Sequence, residues 1–234
     1  MHRKHLLMST SRTASTAYLE HGAEHIDWLL GSAPKRIAFV PYAAVRFSFD
    51  KYEAMVANGI QGHEVVSVHH FDSPLEGLKG ADAIAVGGGN TFQLVHEMYR
   101  FGLMDEIREM AQRGVPFIGW SAGSNVTSPR LCTTNDMPII EPPSFKTLNL
   151  ISAQINPHYL DAHPDGHMGE TRAERLEEFI TLNPGVHVIA LREGAMLKVD
   201  GDRMTLEGIA GARLFHSDSE PREFDPGADL SFLP

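Results

Sequence analysis

A serine in a short glycine frame is the first feature of this chain that could do chemistry. Gly119-Trp120-Ser121-Ala122-Gly123 matches the G-x-S-x-G pattern of a nucleophile elbow and follows an apolar run over residues 115–120. In such an elbow a strand turns sharply into a helix, and small neighbours let the backbone pass. The serine is held exposed and strained at the helix start. The N–H of the next residue, Ala122, can then point at the oxyanion of an acyl-transfer intermediate. The same five residues also describe an ordinary glycine-rich turn, so the reading depends on partners elsewhere in the chain.

A second glycine cluster, Gly87-Gly88-Gly89-Asn90, follows an apolar run at 83–86 and opens a helical pattern. Glycine lets a backbone N–H approach a ligand closely. The cluster lacks the G-x-G-x-x-G and G-K-[ST] spacings of nucleotide-binding loops. Beside an elbow, Gly88 or Gly89 is a candidate second oxyanion donor, and Asn90 a candidate substrate contact. A serine also needs a base, and the base an orienting acid. With 13 histidines, composition cannot choose the base. His158 ends an Asn-Pro-His sequence after a strand-like run at 148–155, where a loop could face the serine. His158, His163 and His167, with Asp161 and Asp165 between them, are an alternative metal-ligand group. Their spacing matches no zinc pattern. Asp136, in a turn-like stretch, and Glu193, just past a strand-like run at 186–191, are the candidate acids.

The elements that must position these groups alternate. Strands are expected at 5–10, 36–40, 64–68, 83–86, 115–120, 148–155, 186–191 and 195–199. Helices are expected at 17–30, 49–60, 91–113 (with a break near Gly102) and 170–182. This order predicts an α/β fold, a mostly parallel sheet with helices on both faces and functional loops at the strands' carboxyl ends. Asp200-Gly201 signals a hairpin and antiparallel strands toward the C-terminus. The turn-rich stretch 125–136 is the expected place for a closing loop. No repeat or linker divides the chain, so residues 1–234 are expected to form one domain.

The net charge of -10 and the lack of a basic run argue against nucleic-acid binding. The single cysteine, Cys132, excludes an internal disulfide and suits a reducing compartment. The basic start carries too short an apolar run for a secretory signal, and no stretch reaches the roughly 18 apolar residues of a membrane span. A cytoplasmic protein with no membrane partner is expected.

Several segments together resemble the peptidase E family of α-aspartyl dipeptidases, a branch of the class I glutamine-amidotransferase-like architecture. They are VGGGNTFQL (86–94), IGWSAGSN (118–125), TTNDMPI (133–139), LNLISAQINPH (148–158) and GHMGETR (166–172), in the family's order and spacing. The resemblance implies Ser121 as nucleophile and His158 as general base, with either Asp136 or Glu193 completing the relay. It implies a small peptide substrate with N-terminal aspartate and no metal or other cofactor. The sequence leaves the choice between monomer and homodimer open. Ser124 departs from the alanine common in the family, and a small effect on the pocket is expected.

Selectivity for aspartate would require a local cation in this acidic chain. Arg172, at a predicted helix start, is the candidate, because a guanidinium grips a carboxylate through two parallel hydrogen bonds. The competing readings are a serine hydrolase of another aspartyl linkage, isoaspartyl or cyanophycin-like, and a non-catalytic small-molecule binding module. Amidotransferase chemistry is disfavoured because those relatives carry cysteine at the elbow.

Overall fold

The computed structural model describes residues 2–162, 166 and 168–233. Two sheets organise it. The larger has the order β3-β2-β4-β5-β1-β8-β9, built from Lys4–Met8 (β1), Arg36–Val40 (β2), Glu64–Ser67 (β3), Ala83–Val86 (β4), Phe117–Trp120 (β5), Ala195–Asp200 (β8) and Arg203–Gly208 (β9). Its first five strands pair in parallel, and β8 and β9 continue it antiparallel. The smaller has the order β11-β10-β7-β6, from Gln154–Asn156 (β6), Val188–Leu191 (β7), Ala212–His216 (β10) and Ser219–Phe224 (β11). There β6 and β7 are parallel and the remaining pairs antiparallel.

The parallel strands read as unbroken apolar runs because both faces are covered. Alternate residues feed opposite cores. Ile37, Phe39, Ala83 and Ala85 join Ile26, Leu29 and Leu30 of α1 (Ala23–Leu30) and Tyr52 and Val56 of α2 (Phe49–Gly59). Ala38, Val40, Ile84 and Val86 join Leu94 and Met98 of α4 (Thr91–Arg100) and Ile107 of α5 (Leu103–Gln112). A short α3 (Pro74–Leu78), not anticipated from the sequence, connects β3 to β4. The smaller sheet shows the same alternation: Ile189 and Leu191 enter the core of Leu7 and Val86. Val188 and Ala190 pack under Leu176 and Ile180 of α7 (Arg172–Leu182). This second sheet was not foreseen as a separate layer.

The helical pattern at 91–113 breaks at Gly102 as expected, where a left-handed φ of 69° separates α4 from α5. Two other expected elements change. The 17–30 helix starts only at Ala23, after a 3-10 turn at Glu20–Gly22. The 148–155 strand shrinks to β6. Leu148 and Leu150 are buried, but irregular backbone bonds tie their N–H groups to Val126 and Thr127 carbonyls. The β8–β9 hairpin turns at Gly201, as its Asp-Gly signal predicts.

Candidate active site

Ser121 stands between β5 and the single-turn helix α6 (Ala122–Asn125), with φ 52° and ψ -114°. A positive φ is costly for a side chain with a Cβ, and the surrounding packing imposes it. A Cβ on Gly119 would lie 2.4 Å from the Gly123 carbonyl oxygen, and one on Gly123 would lie 2.0 Å from that of Val86. Both glycines are therefore required by close backbone approach. The Ser121 N–H donates to the Met8 carbonyl at 3.0 Å, which fixes the turn to the end of β1.

His158 follows β6 and Glu193 follows β7, so nucleophile and base come from different sheets. The Ser121 hydroxyl and His158 Nε2 are 2.8 Å apart. His158 Nδ1 and Glu193 Oε1 are 3.1 Å apart. His158 also has a left-handed φ, 54°. Its backbone N–H donates to Ser9 Oγ at 2.8 Å, and Ser9 Oγ donates to the Leu191 carbonyl at 2.9 Å. Ser9 is fully buried at the end of β1. The two residues after Leu6 and Leu7 on this strand thus support both halves of the site: Met8 holds the elbow and Ser9 holds the histidine turn.

Asp136 lies elsewhere. Its Oδ2 accepts from the Thr91 N–H at 2.7 Å, the Thr91 hydroxyl at 2.5 Å and the Thr134 hydroxyl at 3.0 Å. It is bonded to the first turn of α4, whereas Glu193 is the carboxylate in hydrogen-bond contact with His158. Asn90 caps that same helix. Its Oδ1 accepts from the Gln93 N–H at 3.1 Å, and its Nδ2 donates to the Met137 carbonyl at 2.9 Å.

Gly88 lies against the nucleophile: a Cβ there would stand 3.0 Å from Ser121 Cβ. Gly89 has φ 140° and would meet the Ala43 carbonyl oxygen at 2.1 Å. Among the described residues, the N–H groups of Gly88, Gly89 and Ala122 donate to no protein acceptor, which leaves them available to an incoming oxygen. Tyr52 sets the Gly88 peptide. Its hydroxyl donates to the Gly88 carbonyl at 2.9 Å and accepts from Trp120 Nε1 at 3.1 Å. Burial pushes the Tyr52 phenol up to about 12.

Arg172 is the first residue of α7, after a capping box between Thr171 and Glu174. It donates to Asn135 Oδ1. Asn135 Oδ1 also accepts from Asn156 Nδ2 at 2.6 Å, while its Nδ2 donates to the Pro157 carbonyl at 2.6 Å. Arg172 is thus linked through one amide to the residues just before His158. Burial, then the Arg175 charge, lowers its pKa.

Two expectations are corrected. Ser124 does not face the pocket. It is fully buried, with its hydroxyl 2.7 Å from the Met8 carbonyl and 2.8 Å from that of Gly119, bracing the elbow from behind. The start of the stretch 125–136 is packed into the core rather than forming a free loop, while Arg130 and Cys132 are exposed. Asn125, Val126, Thr127 and Ser128 are buried, and Asn125 Nδ2 donates to the Ile155 carbonyl at 2.8 Å. Of the alternative metal group, His163, Asp165 and His167 lie outside the described residues. Asp161 forms a bidentate pair with Arg192 at 2.7 and 2.5 Å, and this bond holds its carboxyl below the usual range. Ser9 and Tyr52 were not singled out from the sequence, where nothing local marks them.

Comparison with known proteins shows what the whole chain is similar to. The model of peptidase family S51 matches residues 5–207. A peptidase E of Nostoc sp. (strain PCC 7120) is 45% identical over 235 residues, covering 100% of this chain and 97% of the relative. A peptidase E of Shewanella denitrificans is 46% identical over 228 residues, covering 97% of each. The crystal structure of a peptidase from an acI-B1 Actinobacterium superposes with a TM-score of 0.71 at 20% identity, covering 98% of this chain and 97% of that one.

Proposed function

The chain belongs to peptidase family S51, and from that premise we propose that it is a serine dipeptidase that hydrolyses Asp-Xaa dipeptides through an aspartyl-enzyme intermediate. The observation that carries the reading is the continuous contact Ser121–His158–Glu193, at 2.8 and 3.1 Å. In this reading His158 takes the Ser121 proton as the hydroxyl attacks the aspartyl carbonyl. Glu193 accepts from Nδ1–H, holds the tautomer and balances the imidazolium. The N–H groups of Ala122 and of Gly88 or Gly89 receive the oxyanion, each donor worth about 3 kcal/mol. His158 then protonates the leaving amine, and water, activated by the same imidazole, releases aspartate.

Asp136 acts in this scheme as a positioning residue, holding the first turn of α4 and the glycine loop before it. Arg172 is the proposed partner of the substrate's aspartyl carboxylate. Its partial burial supports that role, because a desolvated guanidinium gains more from an incoming anion. Asn90 is retained as a rim contact through its remaining amide hydrogen. Among the described residues no helix is long and apolar enough to cross a membrane. Cys132 is free and exposed, which suits the reducing cytoplasm, and in this reading the chain acts there as one domain without a metal.

The test is hydrolysis of Asp-Leu by the wild type and by Ser121→Ala, with Asn-Leu and a β-linked Asp-Leu as controls and a chelator present. The reading requires cleavage of α-linked Asp-Leu alone, lost in the variant. Cleavage of the β-linked peptide would move the assignment to an isoaspartyl enzyme. Activity surviving in Ser121→Ala would remove the nucleophile.

A further inference from the structure

A second group of chemically able side chains lies between α2 and the turn that follows β3, the edge strand of the larger sheet. Two strands, β2 and β4, separate it from the strand that carries Ser121. Asp50, in the first turn of α2, faces His69 and His70, which close the 3-10 turn after β3. One donor atom from each of the three lies within 4.8 Å of the others. Glu53, one helical turn beyond Asp50, has its Oε2 2.6 Å from His70 Nε2.

We propose that Asp50, His69 and His70, with Glu53 beside them, bind a divalent transition-metal ion of the zinc type. Two imidazole nitrogens with one or two carboxylates suit zinc, cobalt or nickel, whereas magnesium and calcium prefer oxygen alone. Zinc bonds of 2.0–2.2 Å in a tetrahedron place ligand atoms about 3.3 Å apart. His69 Nε2 and Asp50 Oδ1 already stand at 3.1 Å. The other ring nitrogen of His69 is held by Ser67 Oγ at 2.6 Å, the outer contact that fixes a metal-binding imidazole and leaves Nε2 facing the ion. Glu53 is fixed in turn, its Oε1 accepting from the Ser67 N–H at 2.6 Å.

One side of the group is rigid and the other adjustable. The side chains of His69 and Glu53 are 15% and 19% exposed, those of Asp50 and His70 76% and 45%. The exposed pair can close the remaining distance by rotation. The two imidazole rings lie 4.0 Å apart, and a ring nitrogen of each is within 4.8 Å of the other. A bound ion would tie the first turn of α2 to the end of β3 and stabilise the fold by mass action.

The experiment is zinc titration of the metal-free full chain by calorimetry, with cobalt absorption as an independent report of coordination. The inference expects one strong zinc equivalent, visible cobalt bands, and no comparable response to magnesium. Binding should weaken at least about tenfold in His69→Ala, His70→Ala and the exposed Asp50→Asn. It should be unchanged in His216→Ala, which alters the stacked His187–His216 pair instead. Because the group lies outside the catalytic residues, Asp-Leu hydrolysis should stay at the wild-type level in all four and show that they are folded. No zinc uptake by the wild type, or uptake unchanged in Asp50→Asn and His70→Ala, overturns the proposal.

Discussion

The buried hydroxyl of Ser9 accepts the backbone N–H of His158 at 2.8 Å, joining residues 149 positions apart. The bond holds a left-handed turn, since His158 has φ 54°, and that turn aims the imidazole at Ser121. Ser9→Ala leaves the His158 N–H without its partner. The Leu191 carbonyl keeps the Tyr159 N–H at 2.9 Å. A stability loss of about 1–3 kcal/mol is expected for one orphaned buried donor. A displaced base should lower kcat for Asp-Leu by about 10- to 100-fold with little change in KM. Urea unfolding and steady-state kinetics measure the two effects, and a wild-type kcat would show that the turn holds without Ser9.

Glu193 and Asp136 should separate by the kind of defect they cause. Glu193→Gln keeps the size of the side chain but removes the charge facing His158. It is expected to lower kcat/KM by about 100-fold, less than in a buried triad because Glu193 is exposed. Its stability should be unchanged. Asp136→Asn removes the charge that takes three hydrogen bonds from Thr91 and Thr134. It should lower the melting temperature first and activity only secondarily. The reverse pattern would transfer the relay to Asp136.

Tyr52 reaches the site through the peptide of Gly88. Tyr52→Phe leaves the Gly88 carbonyl and Trp120 Nε1–H without their shared partner, at about 1–3 kcal/mol of stability. If the Gly88 N–H receives the oxyanion, kcat should fall several-fold while KM for Asp-Leu is nearly unchanged. A loss confined to stability would mean that the tyrosine supports only the core. With its pKa near 12, the phenol stays protonated near neutrality and should add no alkaline limb to the wild-type pH profile.

What the sequence made legible follows from how local each signal is. Residues 36–40 and 83–86 read as strands because parallel strands covered on both faces are apolar throughout. The elbow was legible because glycine spacing records a close backbone approach, now seen as Gly123 against Val86. The run 148–155 misled because apolar content reports burial, and Leu148 and Leu150 are buried without a ladder. Which sheet a strand joins is a long-range property. The division of Ser121 and His158 between two sheets, and the parts played by Ser9 and Tyr52, therefore left no local trace. The family resemblance offered Asp136 and Glu193 as equals, and only side-chain distances distinguish their surroundings.

Acid sensitivity of the fold should be traceable in part to His5. It is fully buried on β1, between β5 and β8, and neither ring nitrogen has a hydrogen-bond partner among the described residues. Burial, helped by the Arg3 charge, lowers its pKa from 6.5 to about 4. Between those values the unfolded chain binds a proton that the folded one refuses. Stability therefore falls as pH drops through 6.5 and levels off, for this group, only near 4. From pH 7.5 to 5.0 the contribution is a loss of about 2 kcal/mol. His5→Leu removes the titrating group, although the change in shape carries its own cost at every pH. The informative quantity is thus the difference between the two pH values. Urea unfolding should show His5→Leu losing about 2 kcal/mol less than the wild type on acidification. Equal losses in both proteins would place the acid-sensitive groups elsewhere and leave the buried imidazole without a part in the acid response.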